Sequence, residues 1–229
     1  MIFRKLIKNT KNFWNWIWNS DSILSWVVAL IVIYLFVKFI FFPGLSLIVG
    51  SSLPLAGVES SSMDHQIVQD DFRRLTLCGN IYAESEKEHI NFEEYWNSCG
   101  NWYEEKEISK DIFSEFSLRN GFRKGDIIIV WGRFVPKLGD VIIFKPNLGS
   151  LAPRPIIHRI VGIEQDSEGF VFETKGDHNQ KQLTSGNNIY NTDETNIRED
   201  QIIGKAVFKI PYFGWFKIIV VEFFQKLFG

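Results

Sequence analysis

Two β-strands are predicted by the stretch GDIIIVWGRFVPKLGDVIIF, residues 125–144. Its two runs of β-branched and aromatic residues, 126–131 and 140–144, each begin at a Gly-Asp pair, which favours a turn before a strand. Further runs of the same kind follow at 156–163, 170–174 and 201–210. Short strands separated by Gly, Pro and Asp are typical of antiparallel sheets. The sequence therefore predicts a mainly β domain built from an antiparallel sheet.

The N-terminal part of the chain has a different composition. Residues 23–42 are almost purely apolar and are interrupted only by Ser25 and Lys38. A helix of about twenty residues spans roughly 30 Å, the thickness of the hydrocarbon core of a bilayer. We predict a transmembrane helix over 22–42. A cleavable secretory signal is the alternative, but its apolar core would be shorter and a good small-x-small site would follow it.

The charges around this segment predict its orientation. Four basic residues precede it, namely Arg4, Lys5, Lys8 and Lys11. Under the positive-inside rule, residues 1–21 are cytoplasmic and everything after the span is extracytoplasmic. The expected localisation is therefore a single-pass membrane protein. The last stretch, 215–229, is apolar but short, and we interpret it either as an interfacial segment or as a helix packed on the domain.

A polar stretch, 64–120, interrupts the β-rich region and contains helix-like patterns at 90–102 and 111–116. We interpret it as a partly helical inserted lobe. The β-rich domain then consists of 43–63 and 121–214.

Several kinds of site are disfavoured by composition. The formal net charge is −2 and the soluble part has no large basic patch, so nucleic acid is not an expected partner. Cys78 and Cys99 form no CxxC pair, and they are either one disulfide or two buried thiols. The histidines show no metal-ligand spacing with them, so neither a metal nor a cofactor is expected.

Three side chains suit acyl-transfer chemistry. Ser62 follows the apolar segment, His158 lies in a strand pattern, and Asp177 lies in a Gly-Asp-His-Asn turn. A serine hydroxyl needs a neighbouring base, and that base needs a third group to orient it. Histidine suits the role of base because its ordinary pKa is about 6.5. Each residue alone also has an ordinary structural explanation.

Five segments in order resemble the conserved boxes of type I signal peptidases. They are VESSSM (58–63), GFRKGDIIIV (121–130), LGDVIIF (138–144), IHRIV (157–161) and TKGDHN (174–179). A histidine at 158, where bacterial members carry lysine, is similar to the archaeal and endoplasmic-reticulum branch. The resemblance covers most of 47–214.

This resemblance implies roles for individual residues. Ser62 would be the nucleophile and His158 the general base. Asp177 matches the first family aspartate and Asp193 is the best match for the second, so either would orient His158. Ser60 and the backbone of Ser62 would form the oxyanion hole.

The implied function is removal of N-terminal signal peptides at small-x-small sites on the outer face of a membrane. The expected partners are secretory preproteins with signal peptides, the lipid bilayer, and accessory membrane subunits or a translocon. Two alternatives stay open. One is a catalytically silent binding or assembly factor anchored in the membrane, and the other is a related peptidase for a specialised precursor.

Overall fold

The computed structural model describes residues 2–70, 72–83 and 89–212, with side chains from residue 11 onward. The predicted C-terminal segment, 215–229, lies outside these residues. The chain divides into two compact units, Met1–Ile48 and Val49–Gly229.

The first unit is helical. Its elements are α1 (Ile2–Asn19), α2 (Ile23–Phe36), a π-helical turn (Val37–Phe41) and the start of α3 (Phe42–Val49). Ser22 caps α2 by accepting a hydrogen bond from the backbone N–H of Leu24 at 3.3 Å. Together these elements give one helix from Ile23 to Val49 that is long and apolar enough to cross a membrane, and it is the one such helix in the described chain.

This helix extends beyond its predicted end at residue 42 into the stretch 43–63, which the sequence assigned to the β-rich domain. The backbone N–H of Phe42 bonds to the carbonyl of Val37, which is the wider spacing of a π-helix. The widened turn precedes Pro43, which has no N–H to contribute to a helix. Gly50, with a φ of +68°, then ends the helix in the left-handed conformation.

The second unit contains a seven-stranded antiparallel sheet, which confirms the predicted mainly β fold class. In spatial order the strands are β1 (Leu55–Gly57), β5 (Ile127–Trp131), β10 (Ile202–Ile210), β6 (Val141–Phe144), β7 (Ile156–Asp166), β8 (Gly169–Lys175) and β9 (Ile197–Arg198). All four residues of β6 are buried, because the strand lies in the middle of the sheet. Val141 and Ile143 join a core cluster with Ile128, Val130 and Ala206, whereas Ile142 and Phe144, which alternate with them, join a second cluster.

The lobe between β1 and β5 has its own small sheet and helices. They are β2 (Val68–Gln69), β3 (Leu75–Leu77), β4 (Asn80–Tyr82), α4 (Phe92–Glu104) and α5 (Lys110–Ser114). Asn91 and Glu94 form a capping box at the start of α4. A disulfide joins Cys78, in the turn between β3 and β4, to Cys99 on α4, with Cα atoms 5.4 Å apart. The lobe packs as one cluster with an aromatic centre that includes Phe113.

Candidate active site

Ser62 lies in a short turn after β1, and backbone hydrogen bonds hold this turn from two directions. The N–H of His178 donates to the carbonyl of Ser62 at 2.9 Å, and the N–H of Phe122 donates to the carbonyl of Met63 at 3.0 Å. The Ser60 and Ser62 hydroxyl oxygens are 3.1 Å apart. The turn therefore presents two hydroxyl groups together from a fixed backbone.

His158 lies on β7 opposite Ile142 of β6 and is buried. Gly176 shows how close its ring is to Ser62. A Cβ atom added to this glycine would lie 2.8 Å from both His158 Nε2 and the Ser62 carbonyl oxygen. Ser62 and His158 therefore border the same small space, and both line one cleft of about 660 Å³.

The carboxylate that contacts His158 belongs to Glu194. Its Oε1 is hydrogen-bonded to His158 Nδ1 and also accepts from the Thr174 hydroxyl at 3.1 Å. Its Oε2 accepts from the backbone N–H of Leu183 at 2.7 Å. Glu194 is fully buried. Its backbone carbonyl accepts a hydrogen bond from the N–H of Thr174, and its own N–H donates to the carbonyl of Leu183, both at 2.8 Å. A carboxylate oxygen that accepts a hydrogen bond from Nδ1 favours the tautomer with the proton on that nitrogen, and this leaves Nε2, on the Ser62 side, able to act as a base.

Asp177, which the sequence analysis put forward as the group orienting His158, has other partners. Arg159 donates to both of its oxygens, at 2.9 Å to Oδ1 and 2.6 Å to Oδ2. Tyr103 donates to Oδ1 at 3.0 Å, and His65 lies 2.9 Å from Oδ2. Burial raises the pKa of Asp177, but the charge of Arg159 and the hydrogen bonds outweigh it and hold the pKa well below its usual range. The Asp177 carboxylate thus forms a buried ion pair with Arg159.

Asp193, the second sequence candidate, is engaged in its own turn. Its Oδ1 accepts from the N–H and the hydroxyl of Thr195, at 3.0 and 2.7 Å. Its Oδ2 lies 3.4 Å from the Ser185 hydroxyl. The structure therefore brings together Ser60, Ser62 and His158 but places the next residue, Glu194, where Asp177 or Asp193 was expected. The sequence signal for Glu194 is its place in the acidic pair at 193–194, directly after the predicted Asp193.

The cleft beside these residues has apolar walls. One wall is formed by the β1 segment, including Leu53, Leu55 and Ala56, and the other by 152–157 at the start of β7. In the described sheet, β1 pairs with β5 on one side and is an edge strand on the other. An extended peptide can add to such an edge through main-chain hydrogen bonds.

Two of the other histidines, His65 and His178, have structural partners. His65 contacts Asp177, and His178 Nδ1 lies 3.0 Å from the carbonyl oxygen of Asp64. Among the residues that the structure describes, no group of three or more His, Cys, Asp or Glu side chains is placed to hold a metal ion.

Comparison with known proteins identifies relatives. No protein-family model matches the chain. The "Signal peptidase complex catalytic subunit SEC11" of Eremothecium gossypii is 32% identical over 109 residues, which are 46% of this chain and 62% of that protein. Proteins of the same name from Candida albicans and Colletotrichum graminicola are 28% and 27% identical over 108 and 110 residues. These matches cover 46% and 47% of this chain and 61% and 60% of the relatives, so the chain spans about three fifths of their length.

Proposed function

We propose that this chain, a homologue of the SEC11 catalytic subunits and thus of endoplasmic-reticulum-type type I signal peptidases, is a membrane-anchored serine endopeptidase that removes N-terminal signal peptides. The observation that carries the proposal is the arrangement of Ser62, His158 and Glu194 beside an apolar cleft. A nucleophile, a base and a buried carboxylate on that base are the parts that serine acyl transfer needs.

In the proposed mechanism, Ser62 Oγ attacks the carbonyl carbon of the scissile peptide bond. His158 Nε2 takes the hydroxyl proton as the bond forms and returns it to the leaving amine. Glu194 stabilises the imidazolium that forms between these steps and keeps the ring in place. Water then hydrolyses the acyl-enzyme by the same proton transfers, which regenerates the Ser62 hydroxyl.

The oxyanion that forms on the carbonyl needs hydrogen-bond donors. We assign the backbone N–H of Ser62 and the hydroxyl of Ser60, which lies beside the Ser62 hydroxyl at 3.1 Å. Loss of one such donor costs about 2.7–4 kcal/mol of transition-state stabilisation in other acyl-transfer enzymes.

The substrate is proposed to bind as an added strand along β1, with its side chains directed into the cleft. Apolar walls favour apolar side chains, and a preference for small residues at the first and third positions before the cleaved bond follows the resemblance to the family. Ala-x-Ala is accordingly the test sequence.

The helix Ile23–Val49 is proposed to span the membrane with residues 1–21 in the cytoplasm and the β domain outside it. Such an anchor tethers the site to the bilayer that also holds the apolar segment of the substrate. This raises the effective concentration of the substrate at the site. The proposed partners are secretory preproteins, the bilayer and accessory membrane subunits or a translocon, because the relatives are named as subunits of a complex.

The test uses the full chain in detergent and a precursor with an Ala-x-Ala signal peptide, with the new N-terminus mapped by mass spectrometry. The wild type should cleave after the second Ala, and Ser62→Ala should not. Ser61→Ala is the matched control in the same turn and should cleave like the wild type. Equal cleavage by Ser62→Ala would refute the assignment of the nucleophile. A folded wild type that cleaves nothing would favour the silent binding factor or a requirement for a further subunit.

A further inference from the structure

The segment 176–179 lies directly against the proposed catalytic pair. Gly176 leaves no room for a side chain between itself, His158 Nε2 and the carbonyl of Ser62. Two residues later, the N–H of His178 donates to that same carbonyl at 2.9 Å. A shift of this segment would therefore move both the turn that carries Ser62 and the surroundings of the His158 ring.

The inserted lobe holds the other side of this segment. The Tyr103 hydroxyl donates to Asp177 Oδ1 at 3.0 Å, and the Tyr95 hydroxyl donates to the Asp177 carbonyl oxygen at 3.0 Å. The N–H of Cys78 donates to the His178 carbonyl at 3.0 Å. Three contacts from two elements of the lobe thus fix two consecutive residues of the segment.

The two tyrosine contacts are shielded from water and lie among packed rings. Tyr95 and Tyr103 are fully buried, and the His65 ring stacks on Tyr95 with 3.7 Å between the ring centroids. Burial, together with the negative charge of Asp177, raises the pKa of Tyr103 well above its ordinary value, so its hydroxyl remains a donor. Such a donor in a buried network is costly to remove because the partner loses a hydrogen bond that water does not replace.

We propose that Tyr103 is a positioning residue for the reaction. Its hydroxyl holds the Asp177 carboxylate and thereby keeps 176–179 against Ser62 and His158, which makes the inserted lobe a part of the catalytic centre. Tyr103 touches neither Ser62 nor His158 through any hydrogen bond in the described structure, so it acts through Asp177. The inference rests on the proposed peptidase function.

The test compares Tyr103→Phe with Tyr82→Phe in the full-length protein in detergent. Tyr82 is a matched control because it lies in the same lobe and its hydroxyl bonds to the Ser98 hydroxyl at 2.9 Å, within the lobe. Tyr103→Phe should lower kcat on the Ala-x-Ala precursor by at least about tenfold, since small displacements of reacting groups cost up to about 10²-fold. KM should stay within about twofold of the wild type, and Tyr82→Phe should keep both constants within about twofold.

A second measurement does not depend on activity. Hydrogen–deuterium exchange at the His178 amide should be faster in Tyr103→Phe than in the wild type and unchanged in Tyr82→Phe. Tyr95→Phe removes the neighbouring hydrogen bond to the Asp177 carbonyl and should also speed exchange at the His178 amide. It replaces Tyr103→Phe in the test if that variant does not fold. Equal kcat for Tyr103→Phe and Tyr82→Phe, or unchanged exchange, would overturn the inference. A folded wild type without activity would favour the silent binding factor or a requirement for a further subunit, and the exchange result would still decide whether Tyr103 holds the segment.

Discussion

His158 Nδ1 is hydrogen-bonded to the carboxylate of Glu194, a residue thirty-six positions further along the chain. Both side chains are buried, and Glu194 also accepts hydrogen bonds from Thr174 and Leu183. A carboxylate whose two oxygens both accept hydrogen bonds is fixed in place, which suits the proposed role of stabilising an imidazolium.

Replacement of Glu194 by Gln should lower kcat on the precursor by about 10⁴-fold, the order of loss when a carboxylate of this kind becomes an amide. The amide carries no negative charge, and its NH₂ group would face the N–H of Leu183 or the proton of His158. Steady-state kinetics measure this directly. Asp193→Asn is the matched control and should stay within about threefold of the wild type, since Asp193 bonds to Thr195. Full activity of Glu194→Gln would show that the carboxylate is not needed.

Gly176→Ala should lower kcat by about 10²-fold or more, because the new methyl group would meet His158 Nε2 and the Ser62 carbonyl at 2.8 Å. The comparison is Gly44→Ala, where a Cβ finds no atom within 4 Å and the backbone is helical. Both variants are assayed on the same precursor and checked by circular dichroism. A Gly176→Ala protein with the activity of the wild type would mean that the close approach is not required.

Acid should destabilise the fold through His65. Burial lowers the pKa of His65, and the neighbouring Asp177 only partly opposes this. The folded state therefore binds fewer protons than the unfolded state once the pH falls below about 6.5, the pKa of an unfolded histidine. The stability that this group contributes is complete above that pH and is lost as the pH falls toward the folded pKa. Asp177 stays ionised throughout this range because its own pKa lies far lower.

The measurement is the thermal unfolding midpoint at about pH 7.5 and about pH 5.5. His65→Gln, whose amide can still donate to Asp177, should show a smaller drop between the two pH values than the wild type. Some drop should persist, since burial also lowers the pKa of His178. Identical drops in both proteins would exclude His65 as the cause.

Reduction of the Cys78–Cys99 disulfide should lower the stability of the lobe by about 2–4 kcal/mol, the usual range for one such cross-link. Activity should fall as well, because the Cys78 N–H holds the carbonyl of His178. Urea unfolding with and without a phosphine reductant gives the first value. The chain has two cysteines, so a Cys78→Ser, Cys99→Ser double variant should not respond to the reductant. Unchanged stability of the wild type after complete reduction would contradict the prediction.

The strands that the sequence predicted share one property, which is a run of β-branched residues between turn residues. The predicted 126–131 and 201–210 match Ile127–Trp131 and Ile202–Ile210 closely. In contrast, β1 spans three residues, Leu55–Gly57, and no alternation marks it. It is a strand because β5 pairs with it, and such pairing depends on residues far away in the chain.

For the site, the sequence supplied Ser62 and His158, which the structure brings to one cleft. It did not supply the choice among acidic residues. Arg159 lies next to His158 but faces the opposite side of the strand, where it binds Asp177. Tertiary packing decides which carboxylate pairs with Arg159 and which one contacts His158. Local sequence does not encode this choice.

The shortness of β1 limits what its open edge can capture. Three residues offer only a few ladder hydrogen bonds, whereas a long flat edge would recruit strands from any unfolded chain. So few backbone hydrogen bonds are too weak to hold a peptide at this edge unless its side chains also fit the cleft. Self-association through the edge is restricted for the same reason, so the protein can keep an open strand edge beside its cleft without promoting aggregation.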